Sequence, residues 1–384
     1  MPSSTSSSDG RLEGLRAPPP LAFFDPEHVE RPVPARPWRA LLAAALIVVI
    51  GLTAAWEVYW RGKMFIAGDY KNTSALWAQE RRKAVGDATV MIGSSRIFFD
   101  IDLDLWEEAA GVRPVMLALE GTSPRVFLRD LADDENFHGL AIVGVTAPVF
   151  FTQDGGLRAE VLDYYKKETP SQRFDHLLSA PLEETFAFLD EQTRPKTQMT
   201  TAPLPLRDGM QPLFYPRKLS ISAADRNTEM WARVVEDERY REEAKAQWAL
   251  ILQMMAPPPS ADGSPPPPFP QEAIDAVIGE VKANVDKIRA RGGDVAFLRF
   301  PYDGMFAVAE DNGFPRERFW DRLVAETDSV GVTFHDYPEL QGYEIAEWSH
   351  LTAREGERYT RALVPIFEAR MAEKKAEREG RGAN

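Results

Sequence analysis

Separate pieces of this sequence carry residues fit for acyl transfer. The stretch ATVMIGSSRIFFDID, residues 88 to 102, runs apolar, breaks at Gly93 and turns with Ser94, Ser95 and Arg96. Near the C-terminus, YPELQGYEIAEWSHLTARE places Glu347 three residues before His350. A serine hydroxyl is a poor nucleophile until a neutral imidazole accepts its proton. The imidazole in turn needs a carboxylate to fix its tautomer and stabilise its charged form. Ser95, His350 and Glu347 supply that set, and their spacing puts the last two on one side of a helical turn. Backbone N–H groups of Ser95 and Gly121 are candidate oxyanion donors, each worth about 3 to 4 kcal/mol of barrier. Thr146 is the nearest polar candidate for a third. Arg96 and Arg299 are candidates for binding an anionic substrate, although Arg96 also has Asp100 and Asp102 at hand as structural partners. Each residue has a plainer alternative: a capping serine, a surface histidine beside a helix start, a solvated carboxylate.

The elements that must position these residues are legible as alternation. Apolar runs at 88–92, 114–119, 140–146, 294–300 and 332–336 are separated by segments that read as helices, which predicts a parallel sheet covered by helices. In such sheets ligands bind outside the carboxyl ends of the strands, where Ser95, Gly121, Thr146 and Arg299 all fall. Ser123 followed by Pro124 predicts a capped helix start, and Thr352 with Glu355 has capping-box spacing. The Arg81, Arg82, Lys83 run reads as a solvated face. A long insertion, 150–290, is rich in helical segments and broken by a proline-rich loop at 256–270.

Taken in this order, the GSSR turn, the glycine after the second strand and the WSHL segment resemble the SGNH (GDSL-like) hydrolase superfamily. Within it they are most similar to membrane-anchored bacterial members with GxSR at the first strand and DxSHL near the C-terminus. The resemblance covers about 88–150 and 294–365 and excludes the insertion. It implies a flavodoxin-like, three-layer α/β/α domain with Ser95 as nucleophile, Gly121 as the glycine of the second block and His350 as base. Glu347 stands where the family has aspartate, and glutamate fills that role in related triads. The family's asparagine after the third strand has no counterpart in GVTAPVFF, where Thr146 is the nearest polar residue. The implied function is that of an extracytoplasmic serine esterase or O-acyltransferase acting on a cell-envelope glycan or lipid, with a membrane acyltransferase as partner. The two departures motivate an alternative, a non-catalytic scaffold binding an envelope-assembly partner through the insertion.

The remaining sequence bounds these readings. A chain of 384 residues, 44% of them apolar, can bury a full core. A net charge of −14 offers no basic footprint for nucleic acid. The absence of cysteine excludes disulfides, thiolate zinc sites and a cysteine nucleophile. His28, His138, His176 and His335 lack metal-ligand spacing, and no phosphate-cradling glycine motif is present, so neither metal nor cofactor is expected. Residues 40–60, ALLAAALIVVIGLTAAWEVYW, carry one charge, Glu57, with Trp38 on one side of the apolar run and Trp56, Tyr59 and Trp60 on the other. That predicts a bilayer-spanning, uncleaved signal anchor over 39–60. Arg31, Arg36 and Arg39 before it are matched by Arg61, Lys63 and Lys71 after it, so charge alone barely orients it. A Ser/Pro-rich tail, 1–38, disordered and cytoplasmic, and an exported domain, 61–384, are expected. The chain would then sit in a bacterial inner membrane with its domain in the periplasm.

Overall fold

A computed structural model describes residues 36–156, 158–194, 197–199, 217–255 and 267–382. The chain divides into Met1–Ala55 and Trp56–Asn384. Helix α1, Trp38–Arg61, begins in the first unit and ends in the second; it is long and apolar enough to cross a bilayer. All but the end of the expected disordered tail lies outside the described residues, as does 256–266 of the proline-rich loop; the described remainder, 267–270, has no helix or strand.

Within Trp56–Asn384 five strands form a parallel sheet. They are β1 (Thr89–Ile92), β2 (Val115–Met116), β3 (Leu140–Gly144), β6 (Asp294–Arg299) and β7 (Val330–Thr333), in the order β2-β1-β3-β6-β7. Their side chains alternate between two cores, as the period of a strand dictates. Val90, Ile92, Val143 and Phe297 pack on one face; Met91, Ile142, Leu298 and Val332 pack on the other. The helices that matter here are α2 (Ser74–Arg81), α3 (Ser95–Asp100), α4 (Leu103–Ala110), α5 (Arg125–Asp133), α6 (Pro170–Thr185), α7 (Glu238–Met255), α8 (Gln271–Ala290), α9 (Gly304–Gly313) and α10 (Ala353–Gly382). The first core is closed by α5 and α8 through Phe127, Leu131, Ile278 and Val285. The second is closed by α3, α4 and α10 through Phe98, Trp106, Tyr359 and Leu363. Helices therefore cover both faces, and the strands can be apolar throughout.

Several local expectations change. The fifth strand starts at Val330, not 332, and gives way after Thr333 to a short 3-10 turn at Phe334–Asp336. The insertion is shorter than 150–290, because α8 is the crossover helix that returns the chain from β3 to β6. It also contains an antiparallel hairpin, β4 (Ser220–Ser222) with β5 (Thr228–Met230). Ser123 caps nothing: Pro124 already has helical dihedrals, α5 begins at Arg125, and Ser123 Oγ is buried without a partner among the described residues. Arg81 is not solvated; it is buried between Asp130 and Asp134, at 2.8 and 2.9 Å. Of the capping box, Thr352 Oγ1 accepts from Glu355 N at 3.3 Å, but the Glu355 carboxylate is taken by Arg358 at 2.5 Å.

Candidate functional site

The end of β1 lies under α3 with almost no clearance. A Cβ on Gly93 would sit 2.2 Å from Ile97 Cγ2, and one on Gly144 2.7 Å from the same side chain. Both strand ends therefore need glycine for α3 to rest on them. The two serines then part company. Ser94 is buried and its hydroxyl shares a 2.7 Å hydrogen bond with Thr146 Oγ1, tying β1 to β3 where the strand order reverses. Ser95, the first residue of α3, is half-buried, and its hydroxyl has no hydrogen-bond partner among the described residues. Ser94 makes no side-chain cap to the first turn of α3.

His350 lies against the same helix. Its ring packs on Phe99 with centroids 4.5 Å apart, and Phe99 is one turn along α3 from Ser95, on the same face. The flanking backbone is held there too: Leu351 N donates to Asp100 Oδ1 at 2.9 Å, and Arg96 Nε approaches Ser349 Oγ at 3.5 Å. Glu347 is fully buried and saturated with donors. Its Oε1 accepts from His350 Nδ1 at 2.8 Å and from His350 N at 2.7 Å, and Oε2 accepts from the indole N–H of Trp248. Burial pushes the Glu347 pKa up, but the facing His350 and these hydrogen bonds outweigh it and hold the carboxyl below its ordinary range. In the neutral tautomer with Nδ1 donating to the carboxylate, the lone pair falls on Nε2, which is buried and has no hydrogen-bond partner among the described residues.

The turn that makes this contact is not helical. Residues 346–350 form a tight turn in which Trp348 has φ 75°, a left-handed conformation that costs a bulky residue about 1 to 3 kcal/mol. Three attachments hold it: the Ile345–Leu351 bridge, the Leu351–Asp100 bond, and Asp303 N donating to Trp348 O at 2.9 Å. Gly304, with φ 53°, makes room for the Trp348 indole, which a Cβ there would approach within 2.4 Å.

The other expected residues are placed as follows. Gly121 has φ 61° and follows Leu119, whose N–H donates to Gly93 O at 3.0 Å, so it sits at the same end of the sheet as Ser95. Thr146 is there as well, with its hydroxyl engaged by Ser94. Arg96 and Arg299 do not face solvent. Arg96 is buried, stacks over Tyr302 at 4.8 Å and pairs with Glu310 at 2.5 Å rather than with Asp100 or Asp102. Arg299 is also buried, donates to Tyr302 Oη at 2.7 Å and lies 4.0 Å from Glu310. Both guanidiniums thus neutralise one buried carboxylate on α9. Trp248, which meets Glu347, is a candidate-site residue that the sequence did not mark. It lies on α7, in the insertion, and an indole in AKAQWALIL has the appearance of an ordinary apolar helix position. No protein-family model matches the chain, and no curated protein is a significant match to it.

Proposed function

We propose that the domain is a serine esterase or O-acyltransferase of the SGNH type, held at the membrane by α1 on the outer side of a bacterial inner membrane and acting on an envelope glycan or lipid. The observation that carries this reading is the buried imidazole of His350. Its Nδ1 is locked on Glu347 while its Nε2 has no partner among the described residues, beside the helix that Ser95 opens. An unpartnered buried polar atom costs about 1 to 3 kcal/mol, and catalysis gives this one a task. Ser95 Oγ attacks the ester carbonyl as its proton passes to His350 Nε2; the imidazolium is stabilised by Glu347. Amide groups of Ser95 and Gly121 meet the oxyanion. His350 then returns the proton to the departing alcohol, leaving an acyl-Ser95 that water or a sugar hydroxyl resolves.

The test is labelling of the full-length protein with a fluorophosphonate probe, and turnover of an activated acetyl ester. Wild type is expected to be labelled at Ser95. Ser95→Ala and His350→Ala are each expected to abolish turnover, with the double variant hardly worse than either, because the pair acts as a unit. An unlabelled, inactive wild type whose Ser95→Ala variant still complements a deletion strain would replace the enzyme by the scaffold reading.

A further inference from the structure

Helix α6 is closed at its start by a capping box, Thr169 with Gln172, yet none of its residues is buried. Phe174, Leu177, Leu178 and Leu182 are 62%, 63%, 59% and 52% exposed. Their spacing places them on one stripe, as in an amphipathic helix whose partner is elsewhere. The opposite side faces the protein, where His176, Ser179, Ala180 and Glu183 are half-buried and Gly68 N donates to Glu183 O at 2.9 Å; at the edge of the stripe Tyr70 donates to Glu184 Oε2 at 2.7 Å. The C-terminal end of α6 is tied to the last turns of α1. Arg61 donates to Thr185 O at 3.4 Å, and the Glu57 carboxylate accepts from Ala187 N at 3.0 Å and Phe188 N at 3.1 Å. In that part of α1, Trp56, Tyr59 and Trp60 form a ring cluster with centroids 5.1 to 5.8 Å apart, the residue types that sit at headgroup level. A helix of 16 residues is ~24 Å long, so its whole apolar stripe lies within about that distance of the last turn of α1, to which its C-terminal end is tied.

We propose that α6 is a second membrane contact, an amphipathic helix whose Phe174–Leu182 stripe lies in the headgroup boundary of the bilayer that α1 spans. This rests on the reading of α1 as a membrane span. Two attachments fix the domain's attitude over the lipid, where one flexible tether would leave it free to tumble.

The chain has no cysteine, so single sites can be labelled without background. Full-length Leu178→Cys, Glu183→Cys and Ile50→Cys variants carrying an environment-sensitive fluorophore are reconstituted in vesicles of three parts phosphatidylcholine to one part phosphatidylglycerol. Some of the vesicles carry a doxyl group near the glycerol end of the acyl chain. The probe at 178 is expected to emit to the blue and be quenched about twofold, since such stripes lie ~5 to 10 Å into the boundary; the probe at 183 is expected to stay unquenched. Quenching at 50 without quenching at 178 would overturn the second contact while leaving the anchor in place. A blue but unquenched probe at 178 would likewise overturn it, marking a face covered by residues 200–216 or by a second copy. An unquenched probe at 50 would overturn the anchor, and the proposal with it.

Discussion

At the scale of single residues, the proposed reaction makes Glu347 and Trp248 the groups that let His350 act as a base. Glu347 is one methylene longer than an aspartate, and the added reach is used: one oxygen serves the backbone N–H and the ring Nδ1 of His350 while the other meets the Trp248 indole. Glu347→Gln removes the charge and one acceptor, so any esterase kcat is expected to fall on the order of 10⁴-fold with the fold intact. Glu347→Asp is expected to lose less. Trp248→Phe keeps the ring and removes only the N–H. A hydrogen bond to a charged group is worth roughly 1.5 to 3 kcal/mol, so kcat is expected to fall about 10- to 100-fold with KM unchanged. A rise in KM with kcat unchanged would assign Trp248 to packing.

At the scale of elements, the 346–351 turn and α3 form one unit, and Asp100 is its buried joint. Burial raises the Asp100 pKa well above 3.8, and the Glu347 charge adds to that; the Leu351 N–H and the charge of Arg96 oppose it. The folded chain thus keeps this proton to higher pH than the unfolded chain does. Stability from this group is fully present below pH ~4 and falls as pH rises through the folded pKa. Asp100→Asn retains an acceptor for Leu351 N–H and removes the titration. The melting temperature is expected to rise more at pH 8 than at pH 5, as thermal unfolding across that range would record; an equal shift at both values would remove Asp100 from the pH dependence.

At the scale of the whole molecule, the apolar helix α1 and the sheet domain call for two different solvents. The exposed apolar side chains of α1, among them Leu46, Ile47, Val49 and Ile50, have no place in water, so expression without residues 1–55 is expected to yield a more soluble domain. In the proposed orientation the large domain is exported. Protease added to intact spheroplasts is therefore expected to degrade it, and immunoblotting against a domain epitope reads the loss. Full protection of the domain with cleavage of the tail would reverse the orientation.

Residue order alone determined the alternation of apolar runs and helices, hence a parallel sheet, and the apolar span near the N-terminus, because both depend on local pattern and on how much apolar surface a segment must hide. It also placed Ser95, Gly121 and His350 at chain positions following strands, since strand ends are marked by glycine and hydroxyl residues. Tertiary structure decided the rest. It separated Ser94, a tie to Thr146, from Ser95, whose hydroxyl has no partner among the described residues, although the two are chemically identical neighbours. It turned Arg96 and Arg299 inward to share Glu310, a partner far away in sequence, because a buried carboxylate must be neutralised wherever the fold brings charges together. It brought Trp248 from the insertion onto Glu347 for the same kind of reason: a buried carboxylate takes its hydrogen-bond donors from whatever packs against it, and packing is set by contacts between segments that no local pattern records.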